Sequence, residues 1–320
     1  MVRDAPMRRL ILHIPDLEHL PGGANAMPAL LRRRLIRARR HEAAGGTALA
    51  QALDLSRLPA EAVLSWLGAG APEARAHPDP VWLRFDAVRL LADLTTVWVD
   101  RPVPLNWGDP DAAPLIDALD RMFAAEGLVW HRPAGASFGL LELPEVPEAK
   151  FVRLPEAGGR RLDEVLPAGA QASRWQALMT QSQMLFHQFR GLDRGDPHGV
   201  GLWFWAPGRL IAAPEDALKV IDPAQDALFR GLARWLGVAY LTETDAGAVR
   251  RGALLLNWPL TGTDPAQRLA QLEAVWGSAL ADWRVELRVV GSGGWWRCAS
   301  VDRYAFWRRR SVTGMRGARP

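Results

Sequence analysis

The sequence predicts an α/β protein, a mixed sheet with flanking helices, on the basis of three observations. Apolar runs of strand length recur along the chain, as at 8–17 and 253–257. Longer segments between them repeat apolar residues at helical spacing, as at 109–127 and 171–189. Stretches rich in Gly and Pro separate the two kinds of segment. Strands and helices that alternate in this way are typical of α/β and α+β proteins.

The N-terminal part begins with the strand at 8–17, whose apolar run is ended by Pro15. Three helices are predicted after this strand, at 28–41, 47–55 and 58–68. The first contains the arginine cluster RRRLIRARRH at 32–41, which we interpret as a solvated helix face.

A breaker-rich segment, GAGAPEARAHPDP at 68–80, predicts an internal boundary. Residues 1–70 would then hold the N-terminal strand and helices. Residues 78–310 would hold the main α/β region, either as a second domain or as one domain with the first. Residues 311–320 would form a flexible basic tail.

Strands and helices continue to alternate beyond this segment. Strands are predicted as a pair within 81–100, then at 128–131, 138–143, 150–154, 200–205 and 253–257, and as a hairpin around 291–294. Helices are predicted at 109–127, 171–189, 224–236 and 265–282. Along 200–205 both sides of the strand are apolar, because Val200, Leu202 and Phe204 alternate with two tryptophans. This pattern indicates an internal strand that is covered on both faces.

Composition excludes several classes of protein. The chain has 320 residues, of which 49% are apolar and 23% charged, as in ordinary globular proteins. No apolar run approaches the roughly 20 residues that cross a bilayer, and the N-terminal run is too short for a secretory signal. We therefore expect a cytoplasmic protein without a membrane partner. The single cysteine, Cys298, excludes an intramolecular disulfide and a multi-cysteine zinc site.

Familiar nucleotide-binding motifs are absent from the sequence. It contains no G-x-x-x-x-G-K-[ST] loop and no G-x-G-x-x-G after a strand. Its seven histidines show no H-x-x-x-H spacing, so no helix presents a ready pair of metal ligands. No cofactor is evident from motifs.

One loop gathers potential metal ligands. HQFRGLDRGDPH at 187–198 holds His187, Asp193, Asp196 and His198 within twelve residues. Oxygen and nitrogen donors at this density could hold a divalent ion, although Asp and His next to Gly and Pro are also ordinary turn formers.

The helix before this loop offers a candidate ligand-binding flank. At about 100° per residue, Thr180, Gln183 and His187 line up between its apolar face and its solvent face. A pocket wall would lie there, and a partly exposed histidine titrates near neutral pH. The alternative is a histidine that is hydrogen-bonded to loop backbone.

Three segments carry a resemblance to a known family. They are LILHIPDLEHL with MPALLRRRL, then HPDPVWLRFDAVRLLADL with LIDALDRMFAAEGLVWHRP, and QSQMLFHQFRGLDRGDPHGVGLWFWAPGRL. Together with DRYAFWRRR near the end, they resemble bacterial regulatory proteins that are described as cofactor-independent phosphoglycerate-mutase-like. This chain departs from the group's usual acidic residue at Gln181 and from its glycine run at 206–208.

The resemblance implies an alkaline-phosphatase-like α/β fold with a serine nucleophile and metals held by Asp and His. Asp16 matches the acidic residue that such enzymes carry after the first strand, but the Asp-x-x-x-His-x-x-x-His set has no counterpart here. We therefore expect a regulatory or ligand-binding protein, with a small metabolite or a protein as partner.

Two alternatives stay open. One is a metal-dependent phosphoryl-transfer enzyme of the phosphoglycerate mutase or phosphatase type, with a divalent ion at Asp16 and the 187–198 loop. The other is a nucleic-acid-binding protein that uses the arginine clusters at 32–41 and 306–320.

Overall fold

The structure, a computed structural model, describes residues 9–15, 17–43, 45–70, 79–189, 199–214, 218–242, 253–260 and 264–304. The chain divides into two units. Unit 1 comprises Met1–Leu58 and Ala213–Pro320, and unit 2 comprises Pro59–Ala212. The boundary predicted at 68–80 and the basic tail predicted at 311–320 lie mostly outside the described residues, and the division of the chain at these points stays a prediction.

Unit 1 is built on a seven-stranded sheet, counted over the described residues. Its strands are β1 (Arg9–His13), β2 (Arg39–Glu42), β8 (Leu218–Ile221), β9 (Tyr240–Leu241), β10 (Ala253–Asn257), β11 (Glu286–Val290) and β12 (Gly294–Cys298). The order across the sheet is β2-β12-β11-β1-β10-β8-β9. The five strands from β11 to β9 run parallel, whereas β12 is antiparallel to both of its neighbours.

Helices cover both faces of this sheet. The helices of unit 1 are α1 (Ala29–Leu35), α2 (Gly45–Ala52), α8 (Ala227–Leu236) and α9 (Pro265–Ala281). Leu10 and Leu12 of β1 share a core with α1 and α9, while Ile11 between them is also fully buried. On the other face, Phe229 of α8 packs against His13. The fold class predicted from the sequence, a mixed α/β sheet with flanking helices, is confirmed.

Unit 2 holds a five-stranded sheet in its described part. Its strands are β3 (Val81–Ala92), β4 (Val97–Pro102), β5 (Val129–His131), β6 (Phe138–Leu143) and β7 (Gly199–Gly208). Its helices are α3 (Glu61–Ala69), α4 (Ala113–Ala125), α5 (Leu154–Ala157), α6 (Leu162–Val165) and α7 (Ala172–Gln188). The long strand β3 pairs with β4 and β6 along one side and with β7 along the other, all antiparallel.

The tryptophan-rich strand β7 is buried as predicted, but within the described part of unit 2 it pairs with β3 alone. Helix α7 packs against it, and the hydroxyl of Ser182 accepts a hydrogen bond from Leu202 N at 2.9 Å. Gln183 lies against Gly201: a Cβ added at position 201 would be 2.6 Å from Cγ of Gln183. Helix α7 thus covers the free edge of β7. Without this cover, N–H groups at the edge of the buried strand would have no hydrogen-bond partners.

Two predicted elements are wrong. The helix predicted at 28–41 ends at Leu35 as α1, and Arg39–Glu42 form β2 because this segment pairs with β12. Tertiary pairing has overridden the local helical pattern. Residues 150–154 do not form the predicted strand, and helix α5 begins at Leu154. Pro155 favours this start, because its fixed φ suits the first turn of a helix.

Among the described helices, none combines the length and the hydropathy that a transmembrane span requires.

Candidate functional site

A row of polar side chains lies at the carboxyl ends of the parallel strands in unit 1. His13 is the last residue of β1 and pairs in register with Asn257, the last residue of β10. Asp222 follows β8 directly, and Tyr240 lies in β9. The carboxyl ends of parallel strands are where open α/β sheets generally bind ligands. This row is therefore the candidate functional site of unit 1.

The four side chains form one continuous chain of hydrogen bonds. His13 Nδ1 lies 2.9 Å from Asn257 Oδ1, and Asn257 Nδ2 donates to Asp222 Oδ1 at 3.0 Å. The Tyr240 hydroxyl donates to Asp222 Oδ2 at 2.9 Å. The row thus crosses four strands, from β1 through β10 and β8 to β9.

Asp222 determines, through Asn257, which ring nitrogen of His13 carries the hydrogen. An ionised carboxylate only accepts hydrogen bonds, so Asn257 must turn its NH2 group toward Asp222. Its carbonyl oxygen then faces His13, and Nδ1 of the ring must carry the hydrogen. In the neutral imidazole, Nε2 is therefore the acceptor.

Asp222 is fully buried, and burial raises the pKa of its carboxyl group above the ordinary value. Four donated hydrogen bonds oppose this effect. Besides Asn257 and Tyr240, the backbone N–H groups of Ala224 and Asp226 donate to its two oxygens at 3.1 and 2.6 Å. Three of the four donors are N–H groups, which can donate but not accept. The arrangement therefore suits an ionised carboxylate, which only accepts hydrogen bonds.

The surroundings of the row are aromatic and basic. The ring of His13 lies 4.9 Å from that of Phe229, and the guanidinium of Arg230 lies 5.8 Å from the ring centre of Tyr240. Burial, followed by the hydrogen bond to Asp222, raises the pKa of Tyr240 to about 12. His13 is half-buried, whereas Asp222 and Asn257 are buried. The histidine is therefore the member of the His13–Asn257–Asp222 chain that a ligand can reach.

The described residues do not fit a divalent metal. They contain no group of three or more His, Cys, Asp or Glu side chains that could hold an ion. Of the predicted ligands, Asp16, Asp193, Asp196 and His198 lie outside the described residues. His187 is described and lies on the exposed side of α7. The metal site at these five residues stays a prediction, and we derive no step through a metal.

The predicted flank of α7 is present as a helical row. Thr180 is exposed, and its hydroxyl donates to the Gln176 carbonyl one turn earlier at 3.0 Å. Gln183 is half-buried against Gly201, and His187 is exposed near the end of the helix. A cavity beside α7 is lined instead by other residues of the same helix, including Gln181, Met184 and Gln188. Ligand binding by Thr180, Gln183 and His187 stays a prediction.

The arginine cluster at 32–41 contains both a buried side chain and exposed ones. Arg34 is 1% exposed and donates to four backbone carbonyls, whereas Arg33, Arg39 and Arg40 are exposed. The second cluster, at 306–320, lies outside the described residues. Nucleic-acid binding through the two clusters stays a prediction.

Sequence reasoning missed the row at the carboxyl edge, although a signal for it exists. Three apolar runs each end in a polar residue, namely LILH at His13, VID at Asp222 and LLLN at Asn257. Each polar residue follows a buried strand, which is the position where parallel strands present side chains to a ligand.

Comparison with known proteins yields only a weak likeness to a solved structure. No protein-family model matches the chain, and no curated protein matches it. Among solved structures, it is similar to a cofactor-independent phosphoglycerate mutase from Thermoplasma acidophilum DSM 1728, with 14% identity over 91% of this chain and 89% of that one and a TM-score of 0.42. A likeness this weak carries no argument about the family or the activity of this chain. The regulatory part of the resemblance gains no support.

Proposed function

We propose that the protein binds a small polar metabolite at the carboxyl edge of the unit 1 sheet and acts as a ligand-binding or regulatory protein. The observation that carries the proposal is the continuous hydrogen-bonded row from His13 through Asn257 and Asp222 to Tyr240.

The row supports a binding role because it holds the half-buried side chain of His13 in place, although this requires burying the carboxylate of Asp222. A buried carboxylate destabilises the folded state unless its oxygens are well hydrogen-bonded. In return, Asn257 and Asp222 hold the imidazole of His13 in one orientation and one tautomer. Support of this kind is typical of histidines that contact a ligand or a reacting group.

The chemistry of the row indicates the kind of ligand. An imidazole such as that of His13 accepts a hydrogen bond from a hydroxyl or amine in its neutral form and donates one to an anion in its protonated form. Arg230 adds a positive charge beside Tyr240. A small hydroxylated acid or a phosphorylated metabolite would satisfy both groups.

Thermal-shift screening of the full chain against hydroxy acids, sugar phosphates and nucleotides tests the proposal. A compound that raises the Tm is then titrated by calorimetry against the parent protein, His13→Ala and the matched control His19→Ala. His19 is exposed in the same unit. We expect His13→Ala to weaken binding about tenfold and His19→Ala to leave it unchanged. A screen without any shift, or equal binding by His13→Ala, would contradict the proposal.

The flank of α7 is a second proposed location for the same ligand, and His187→Ala distinguishes the two. If the ligand binds beside Thr180, Gln183 and His187, this variant loses affinity while His13→Ala keeps it. The opposite pattern assigns the ligand to the carboxyl edge.

The phosphoryl-transfer hypothesis has its own test. It requires a divalent ion in the purified protein and hydrolysis or isomerisation of phosphomonoesters with Mn2+ or Mg2+. Elemental analysis that finds no metal, together with no activity on phosphomonoesters in either ion, would remove it.

A further inference from the structure

A second cavity, unrelated to the carboxyl edge of unit 1, lies within unit 2. Its volume is about 630 Å3, which is in the range of about 300–1,000 Å3 that small-molecule sites occupy. Its walls come from the segment before α4, with Asn106 and Trp107, and from β5 and the loop after it, with Trp130, His131 and Arg132.

Two tryptophans form an aromatic corner in this cavity. The rings of Trp107 and Trp130 are 5.6 Å apart and nearly perpendicular, at 73°. Both indole N–H groups are engaged, since Trp107 donates to the Phe138 carbonyl and Trp130 donates to Asp120. The corner is held in place by these bonds. Trp107 is 8% exposed and belongs to the core of unit 2, so the ring surface on which a planar ligand can stack is that of the half-buried Trp130.

The polar groups around the corner are mainly donors. The guanidinium of Arg132 lies 5.3 Å from the ring centre of Trp130, and Arg132 is exposed. His131 Nε2 lies 2.8 Å from Oε2 of the buried Glu142, so this hydrogen-bonded pair fixes the ring that lines the cavity. No Asp or Glu is among the described residues that line it.

The charge of the lining decides between classes of ligand. An organic cation is disfavoured by Arg132. A sugar is disfavoured because the described lining residues include none of the acidic side chains that usually accept its hydroxyl hydrogens. A flat ring that carries a carboxylate fits both features, since the ring stacks on the indoles and the carboxylate accepts hydrogen bonds from Arg132.

We propose that this cavity of unit 2 is a binding site for a small planar aromatic carboxylate, with Trp130, supported from behind by Trp107, as the stacking surface and Arg132 as the anion-binding group. The proposal does not depend on the function proposed for unit 1.

Calorimetric titration of the full chain with 2-naphthoate and with its neutral analogue 2-naphthamide tests the charge preference. A hydrogen bond to a charged group contributes roughly a factor of ten or more in affinity. We therefore expect naphthoate to bind about tenfold more tightly than naphthamide. Arg132→Gln should remove this difference without changing the affinity for naphthamide. The matched control is Arg101→Gln, an exposed arginine of unit 2 outside the cavity, which should keep the parent affinity within twofold.

The location is tested with Ala134→Trp, because Ala134 is exposed and lines the cavity. An indole at this position should fill the cavity and weaken both probes at least tenfold, whereas Ala134→Ser should not. The Tm of each variant verifies that unit 2 is folded. Equal binding of the two probes, no binding of naphthoate at millimolar concentration, or unchanged binding by Ala134→Trp would each overturn the proposal.

Discussion

Replacing Arg34 with Met should destabilise unit 1 strongly, although Arg34 stands in a run of arginines that reads as a solvated surface. Its guanidinium donates to the carbonyls of Val285 at 2.7 Å, Asp282 at 3.0 Å, Cys298 at 3.2 Å and Leu280 at 3.3 Å. One side chain thereby satisfies carbonyls in the last turn of α9, in the segment after it and at the last residue of β12. The ends of a helix leave such carbonyls without partners.

The magnitude follows from the carbonyls that the substitution leaves unpaired. Three of the four bonds, those to Leu280, Val285 and Cys298, are buried. A buried acceptor without a partner costs about 1–3 kcal/mol. Counting each at the lower end gives a loss of about 3 kcal/mol in the free energy of unfolding. Arg34→Lys keeps the charge but cannot reach all four carbonyls, so an intermediate loss is expected.

The only cysteine provides the assay. Cys298 is 1% exposed, and its own carbonyl is one of the four acceptors, so thiol labelling reports the opening of this region. When labelling tracks the open population, a loss of about 3 kcal/mol speeds it roughly 100-fold. Arg33→Met, at the adjacent exposed position, should change the rate less than threefold. Equal labelling rates for the Arg34→Met variant and the parent would show that these four hydrogen bonds do not hold the region closed.

Three further predictions concern single groups. Gly139→Ala should destabilise unit 2 by about 1–3 kcal/mol, because the new Cβ would lie 2.1 Å from Cζ of Phe85. Gly199→Ala should be nearly neutral, because nothing lies within 4 Å of the Cβ it adds. Thermal unfolding compares the two variants. Burial raises the pKa of the Cys298 thiol, so the folded parent should react with a disulfide reagent at pH 8 far more slowly than the urea-unfolded chain, and equal rates would show an accessible thiol. In Tyr304→Phe, which leaves Tyr240 as the only tyrosine, phenolate absorbance should appear near pH 12 because the pKa of Tyr240 is raised to about 12. Since the folded state holds this proton more tightly than the unfolded chain, the stability it contributes is present below about pH 10 and is lost as the pH rises toward 12. A midpoint near 10 while circular dichroism still shows the folded chain would contradict the hydrogen bond to Asp222.

Much of the fold could be predicted because its signals are local. The apolar runs that became β6 and β10 and the helical patterns that became α7 and α9 lie close to their expected limits, and β1 occupies the first part of its predicted run. The turn at 291–294 likewise marks the hairpin of β11 and β12. In each case burial follows a period of two or of 3.6 residues that the sequence itself displays.

The errors arise where a distant partner decides the outcome. Arg39–Glu42 became a strand because β12, more than 250 residues later, pairs with it. Arg34 looked like part of an exposed basic face, and its burial depends on carbonyls from 280 to 298. The periodicity of the segment contains neither partner. A single sequence therefore indicates that the segment is amphipathic but not which surface it meets.

The candidate site is the extreme case of the same limit. His13 and Asn257 are 244 residues apart, and Asn257 and Asp222 are 35 apart. They meet because parallel strands bring their carboxyl ends to one edge, and the order β1-β10-β8 is set by packing across the whole sheet. Each residue alone is only a polar group after an apolar run, which sequence reasoning treats as the start of a loop. Asp222 affects His13 only because Asn257 lies between them. The carboxylate accepts from the NH2 group of Asn257, so the amide oxygen faces the imidazole and Nδ1 must donate to it. A proton position on one strand is thus determined by a carboxylate two strands away, and no local pattern in the sequence carries that information.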